Sequence, residues 1–251
     1  MPVSLPHQLD QFGGVIVESS ALSNSALDFE KGLQDLLMVA RDAEKNLIWL
    51  TLSSEQGEWI PVALKLGFEF HNCHAQEVTL ICRLSDQSFA PFAPTHTIGT
   101  GAIVINKKNE LLVMRDTWSN YRGFKLPGGY LEQGERIETA VTREVLEETG
   151  IETQFEGVLG IRTRHPVQFG KSNMYIVCRL TPLSEQIVIT DTDEVAEARW
   201  MPMDEYLNDA NIHSFNRQMV AELKDCAGLQ PYEANNVFAP HTMQEVFFAK
   251  G

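Results

Sequence analysis

Basic residues are scarce in this chain of 251 residues, which has 20 lysines and arginines against 34 aspartates and glutamates. The resulting formal net charge of -14 at pH 7 repels phosphate backbones. We therefore expect no binding to nucleic acid through a basic surface. The surplus of carboxylates is compatible with a metal-dependent enzyme, because hard cations prefer oxygen ligands.

Long apolar runs and paired cysteines are also absent from the sequence. No segment approaches the roughly 18 consecutive apolar residues of a membrane span, and no basic stretch followed by an apolar run opens the chain. The four cysteines are scattered without a Cys-x-x-Cys spacing, so neither a disulfide framework nor a thiolate zinc site is indicated. We expect a cytoplasmic protein with no membrane partner.

Prolines and small residues interrupt the hydrophobic pattern between Ser85 and Pro94. This break predicts two domains, residues 1–94 and residues 95–210, followed by a C-terminal helix and tail over residues 211–251. The hydrophobic fraction of 43% is typical of globular proteins, so each domain can bury a core.

The first domain has the pattern of a small α/β module. Helical spacing is found at Leu27 to Ala43 and at Trp59 to Leu66, whereas Leu47 to Leu52 and Glu77 to Leu84 have the composition of strands.

The second domain alternates strand-like and helical segments. Asn106 to Asn109 separates two apolar stretches and predicts a hairpin. A helix is expected from Glu135 to Thr149, with Gly150 as its C-terminal cap. The other predicted elements are strands at Ile98 to Ile105, Glu110 to Arg115, Phe124 to Leu126, Gln154 to Arg164, Met174 to Leu180 and Ala198 to Met201, and a helix at Ser214 to Lys224.

Three glutamates, Glu144, Glu147 and Glu148, have the spacing i, i+3 and i+4, which places them on one face of the predicted helix. A solvated acidic face is the ordinary explanation of such a run. Gly128 and Gly129 favour a different one, because glycines allow a loop whose carbonyl turns towards the carboxylates. Oxygen ligands of this kind suit Mg²⁺ or Mn²⁺.

Gly129, Glu135 and the run from Arg143 to Ile151 together resemble a complete Nudix box, in which every defined position is matched. The resemblance implies an α/β/α sandwich around a mixed sheet and hydrolysis of a nucleoside diphosphate linked to another moiety, a small-molecule substrate. It places metal ligands at the three glutamates and at the carbonyl of Gly128 or Gly129. Arg143 and Glu135 correspond to the pair that orients the helix and loop, and Gly150 ends the box.

The box does not identify the general base. Glu147 is a candidate within it, and Glu194 and Glu197 are candidates in the acidic segment before Trp200; Asp191 and Asp193 are weaker ones. With Arg143, we take Glu147 and Glu194 as the catalytic candidates.

Substrate contacts are expected from residues outside the three glutamates. Arg162 and Arg164 alternate on a predicted strand and suit a diphosphate, although they are equally explained as surface charges. Trp118 is a candidate to stack on a nucleobase, while core packing is the alternative for aromatic residues in this segment, Phe124 above all.

The wider sequence resembles a plant Nudix group active on ADP-ribose and NADH, and an animal Nudix protein known as the fibroblast-growth-factor antisense product. The likeness includes the segment Phe169 to Asn173 and an N-terminal module similar to part of an acetyltransferase fold. That module lacks a pyrophosphate-binding glycine loop, so packing or homodimer formation is its expected role. We therefore predict an ADP-ribose or NADH pyrophosphatase. The alternatives are a hydrolase of nucleoside diphosphate sugars or coenzyme A, and a non-catalytic nucleotide-binding regulator.

Overall fold

The computed structural model describes residues 5–18, 25–86, 88–118, 121, 123–232 and 244–249. The chain divides into two compact units, Met1–Pro94 and Thr95–Gly251, so that residues 211–251 belong to the second unit. Within the described residues, no helix has both the length and the apolar character needed to cross a membrane.

The first unit is a mixed sheet of five strands in the spatial order β1-β2-β3-β5-β4, in which β2 and β3 are parallel and the other neighbours antiparallel. Its elements are β1 (His7–Leu9), β2 (Val15–Val17), α1 (Ala26–Asp42), β3 (Leu47–Ser53), a 3₁₀ turn (Ser54–Trp59), α2 (Ile60–Lys65), β4 (Glu69–Cys73) and β5 (Glu77–Arg83).

Helix α1 forms because apolar residues recur every three or four positions along it. Phe29, Leu33 and Leu36 are buried in the core of this unit, where the Phe29 ring stacks on Trp59 at 4.8 Å between centroids. The helix predicted from Trp59 to Leu66 is present, but its predicted start is wrong. Trp59 ends a 3₁₀ turn, and α2 begins at Ile60. The likeness to an acetyltransferase fold stays a prediction.

The second unit contains seven strands and three helices in its described part. They are β6 (His96–Val104), β7 (Glu110–Asp116), α3 (Ile137–Thr149), β8 (Thr153–Arg164), β9 (Ser172–Pro182), β10 (Val195–Pro202), α4 (Met203–Asn208), α5 (Ser214–Leu223), β11 (Gln230–Pro231) and β12 (Phe247–Phe248). A three-stranded sheet has the order β6-β9-β8, with β6 and β9 parallel and β8 and β9 antiparallel. Strands β7 and β10 form an antiparallel pair.

Alternate residues of β6 face two different helical layers. Ala102 packs in one buried cluster with Val145 of α3, whereas its neighbour Ile103 packs in another with Tyr206 of α4 and Val220 of α5. Helices therefore cover both faces of the strands, as side-chain alternation requires. The predicted α/β/α sandwich with a mixed sheet is confirmed.

The predicted hairpin after β6 is wrong in its pairing. The chain does reverse at Asn106–Asn109, where the Asn106 side chain accepts hydrogen bonds from the Lys108 and Glu110 amides. Beyond one bridge between Ile105 and Leu111, however, β6 pairs with β9 and β7 pairs with β10. Both β6 and β7 are buried along most of their length. Their partners are therefore the distant strands that complete the core, and the turn between them does not decide the pairing.

A glutamate of the C-terminal tail caps the helix that carries the acidic run. Arg136, which precedes α3, makes no side-chain capping hydrogen bond. Glu245 supplies the cap from more than a hundred residues away, because its carboxylate accepts hydrogen bonds from the Ile137 amide at 2.7 Å and the Glu138 amide at 3.3 Å. A carboxylate at this end also suits the helix dipole.

Replacing Glu245 by alanine should lower the free energy of unfolding by about 1 kcal/mol, because the first amides of α3 lose their acceptor. Thermal and urea unfolding of the full chain measure this loss. Glu185→Ala is the matched control, since it removes an exposed carboxylate of the same unit and should change stability by less than about 0.5 kcal/mol. Equal stability of the two variants would contradict the capping role.

Candidate active site

Helix α3 positions the three glutamates of the acidic run. It begins two residues after the predicted start and ends as predicted at Gly150, which has a φ of 72° in the left-handed region. Val141 and Val145 bury one side of the helix in the core. The glutamates occupy three environments, since the Glu144 side chain is 16% exposed, that of Glu147 is 54% exposed, and Glu148 is buried.

Glu148 is a buried carboxyl held by the glycine loop. Its Oε2 atom accepts a hydrogen bond from the Gly128 amide at 2.7 Å. Burial raises the pKa of Glu148 to about 8, although the Gly128 hydrogen bond and the Lys125 ammonium oppose that rise. Burial also raises the pKa of Glu144. Two adjacent carboxyls are thus placed where their charged forms need a nearby cation.

The glycine loop fits between β6 and α3 only because it has no side chains. A β-carbon on Gly128 would lie 2.1 Å from the Thr100 carbonyl oxygen, and one on Gly129 would lie 2.5 Å from the Glu144 carboxylate carbon. The loop is fixed to β6, since the Gly129 carbonyl accepts a hydrogen bond from the Thr100 amide at 2.8 Å. The Gly129 carbonyl, which was one of the two expected to face a metal ion, therefore uses one of its lone pairs in a hydrogen bond to the sheet.

Arg143 joins the glutamates to the preceding loop. Its guanidinium makes a two-point contact with Glu135, at 2.9 and 3.0 Å, and its Nη1 atom donates to Glu144 at 2.9 Å and to Glu147 at 3.0 Å. Glu135 in turn accepts a hydrogen bond from the Glu132 amide. The guanidinium holds the pKa of Glu135 below its usual range, and the contact with Glu135 in turn raises the pKa of Arg143.

The donor chemistry of this cluster fits a divalent cation, but its side chains are not gathered around a common point. Glu144 and Glu147 turn to Arg143, and Glu148 turns to the Gly128 amide. Among the described residues, no group of three histidine, cysteine or acidic side chains is arranged to hold a metal ion. Carboxylate oxygens remain the ligands that Mg²⁺ and Mn²⁺ prefer, so the chemical type of the site fits even though its geometry is that of an arginine-bridged cluster.

A cationic pocket of about 210 Å³ lies beside the cluster. Arg162 and Arg164, which sequence reasoning proposed for substrate binding, both line it. Lys125, which sequence reasoning missed, is a third cation in its wall and pairs with Asp116 at 2.7 Å. Its only sequence signal is its place three residues before Gly128. The remaining lining residues are Leu126, Gly128, Asn173, Tyr175, Asn216 and Met219.

Glu194 lies in a loop that is tied to the C-terminal end of α3. Earlier in that loop, the Val188 amide donates to the Thr149 carbonyl and the Thr190 hydroxyl donates to the Glu147 carbonyl. The Glu194 amide bonds to the Asp191 carboxylate, and its side chain is exposed. Glu197, the other candidate in this segment, forms an ion pair with Arg115 at 2.7 Å.

Trp118 is not brought to the cationic pocket. It is 82% exposed and does not contribute to the pocket wall. Phe124, for which core packing was the alternative, is buried, and the Arg199 guanidinium lies 4.4 Å from its ring centroid.

Comparisons with known proteins cover both units. A family model described as the NUDIX domain matches residues 95–223, and one described as a Nudix hydrolase domain matches residues 5–84. Nudix hydrolase 8 of Arabidopsis thaliana is 36% identical over 79% of this chain, and the match spans 55% of that relative's length. Nudix hydrolase 2 of the same plant is 33% identical over 84% of this chain and 77% of its own length.

An animal relative is similar to the same extent. The human protein called nucleoside diphosphate-linked moiety X motif 6 is 36% identical over 82% of this chain and 68% of its own length. Among solved structures, a UDP-X diphosphatase aligns with a TM-score of 0.42 at 17% identity, over 82% of this chain and 86% of its own. A MutT protein from Methanosarcina mazei aligns with a TM-score of 0.45 at 23% identity, over 53% of this chain and 96% of its own.

Replacing Arg143 by glutamine should destabilise the protein at pH 7 by roughly 2 kcal/mol, because three carboxylates lose their shared cation. The ion pair lowers the pKa of Glu135 in the folded protein, so its stabilisation is present above the ordinary value near 4.5 and is lost as the pH falls through the lowered value. The difference between wild type and variant should therefore shrink below about pH 4.5.

Urea unfolding at pH 7 and at about pH 3.5 measures both effects. Arg83→Gln is the control, because it breaks an ion pair whose partners are 46% and 59% exposed, and should cost no more than about 1 kcal/mol. A cost for Arg143→Gln that does not change with pH would show that the charge network contributes nothing.

Proposed function

The chain belongs to the Nudix hydrolase family, and on that premise we propose that it is a metal-dependent pyrophosphatase that cleaves a nucleoside diphosphate linked to another moiety. The substrate we propose is ADP-ribose or NADH, with AMP as one product. This proposal rests on the cationic pocket lined by Lys125, Arg162 and Arg164. The pocket adjoins the acidic cluster on α3, because Gly128 lines the pocket and donates its amide to Glu148 of the cluster.

The pocket supports binding of a diphosphate by its charge and by the placement of its cations. Guanidinium groups bind phosphate oxygens in pairs, and Arg162 and Arg164 lie on the same strand two residues apart, so both can face one ligand. Lys125 adds a third positive charge to the wall. A phosphoanhydride held there would lie between these cations and the Glu148 carboxyl that bonds to Gly128.

Nudix hydrolases generally use divalent metal ions such as Mg²⁺ or Mn²⁺. In this chain the residues that would hold such an ion are Glu144, Glu147 and Glu148, with a carbonyl of the glycine loop as a further ligand. When bound, the ion would offset the charge of the diphosphate and lower the pKa of an attacking water. Arg143 donates hydrogen bonds to Glu144 and Glu147, so a cation held by these two carboxylates would share them with the guanidinium.

The relatives support the class of substrate. The name of the human relative refers to a nucleoside diphosphate-linked moiety, and the expected likeness to plant and animal Nudix proteins is confirmed by the matches given above. The choice of ADP-ribose or NADH, a cytoplasmic location and a homodimer all rest on the sequence resemblance and are part of the proposal.

The purified chain incubated with ADP-ribose and with NADH, in Mg²⁺ or Mn²⁺, should release AMP, measured by chromatography. A nucleoside diphosphate sugar and coenzyme A tested under the same conditions distinguish the alternative substrates. Binding of these compounds without any turnover would instead favour a nucleotide-binding regulator.

Glu148→Gln should lower turnover by a factor of roughly 10³ or more, because it removes a metal-binding charge while its amide oxygen can still accept the Gly128 hydrogen bond. Glu185→Gln, an exposed change in the same unit, is the control and should keep wild-type turnover. Near-wild-type activity of Glu148→Gln in Mg²⁺ would show that the metal assignment is wrong.

Glu194→Gln should lower kcat by roughly 10² to 10⁴ with little change in KM, as expected for a general base. Glu185→Gln is the matched control, because it alters an exposed carboxylate earlier in the same loop, between β9 and β10. The pH-rate profiles of the two variants supply the measurement. An unchanged kcat and profile for Glu194→Gln would transfer the role to Glu147 or Glu197.

A further inference from the structure

We propose that the nucleobase of the substrate binds in a second cavity, between β8 and α5, and that Phe215 is the residue that recognises it. This inference rests on the proposed function, because it assigns one part of a nucleotide whose diphosphate lies in the cationic pocket.

The second cavity has a volume of about 300 Å³ and mainly apolar walls. Phe215 and Leu223 line it on the helix side, and Gly160 and Val177 line it on the strand side. A cavity of this size is at the lower end of the range that holds small organic ligands.

The two cavities adjoin each other. Arg162 and Met219 line both of them, and the first turn of α5 supplies Phe215 to the apolar cavity and Asn216 to the cationic one. A ligand suited to both carries negative charge at one end and an apolar group at the other, and a nucleotide with its flat base meets this requirement.

Arg162 marks the border between the two cavities. Its guanidinium carbon lies 4.4 Å from the centroid of the Phe215 ring, which is the geometry of a cation–π contact. The contact holds the guanidinium beside the cationic pocket while Phe215 remains 38% exposed. A base next to this pair can stack on an aromatic ring or on a guanidinium plane, as bases do in other nucleotide sites.

Contacts within the protein define the walls of the apolar cavity. A β-carbon on Gly160 would lie 3.2 Å from a methyl carbon of Leu223, so a side chain at this position would fill space between strand and helix. Arg179 donates hydrogen bonds to the carbonyls of Leu223, Lys224 and Cys226, which anchors the end of α5. A preformed wall lowers the entropic cost of binding.

Polar groups at the rim can read the edge of a base. Gln218 and Glu222 are one helical turn apart on α5, and both line the cavity. An amide and a carboxylate provide a donor and acceptors for ring nitrogens and exocyclic amines. Trp118, the stacking candidate of the sequence, lines neither cavity, so Phe215 takes that role.

Calorimetric binding of AMP and of inorganic pyrophosphate to the full chain, in buffer with EDTA, tests the assignment without requiring turnover. Phe215→Ala should raise the Kd for AMP roughly tenfold or more, because base stacking is lost. The Kd for pyrophosphate, which has no base, should stay within about twofold. Phe215→Tyr keeps the aromatic ring and should bind AMP nearly as the wild type does.

Phe92→Ala is the control for loss of an exposed phenylalanine, since Phe92 is 93% exposed and lies in the first unit. The inference is overturned if wild type binds pyrophosphate but not AMP, if Phe215→Ala binds AMP normally, or if it weakens both ligands equally. If AMP binding depends on Phe215 but the protein releases no AMP from any diphosphate tested, the base site is supported and the proposed function is contradicted. If the protein hydrolyses the substrate and Phe215→Ala does not change that activity, the proposed function is supported and the base site is contradicted.

Discussion

The site depends on the guanidinium of Arg143. Without it, Glu144 and Glu147 would stand within one turn of α3 with no cation between them, and burial already raises the pKa of Glu144. The same guanidinium binds Glu135 at two points and so joins the helix to the loop that precedes it. One side chain thus makes an acidic helix compatible with a folded protein, and the glycine loop can then pack against Glu144 without a side chain of its own.

The acidic cluster and the cationic pocket lie a short distance apart. The acidic side is held by α3, whereas the cationic side is formed by Lys125 and by two arginines of β8. Gly128 belongs to both, because it lines the cationic pocket and donates its amide to Glu148. A net charge of -14 would repel the proposed diphosphate substrate at long range, so the local pocket would have to supply the attraction that the molecule as a whole lacks.

The sequence was sufficient for features that depend on neighbours along the chain. The helical spacing of apolar and charged residues from Glu135 to Thr149 predicted α3, and Gly150 predicted its end. The alternation of Arg162 and Arg164 predicted that they share one face. It was insufficient where the partner is remote. The turn at Asn106 could not reveal that β6 pairs with β9, and the place of Lys125 close to Gly128 could not reveal that it lines a pocket with residues of β8.

The same distinction applies to the C-terminal tail. Glu245 belongs to a segment with no periodicity of its own, yet its carboxylate supplies the N-terminal cap of the helix that carries the acidic cluster. Phe247 packs against the core on the α3 side of the sheet. The helix that carries the three glutamates is thus held by Arg143, which joins it to Glu135, and by Glu245, which caps its first turn. A local motif therefore specifies which groups are present, while distant segments specify where they are held.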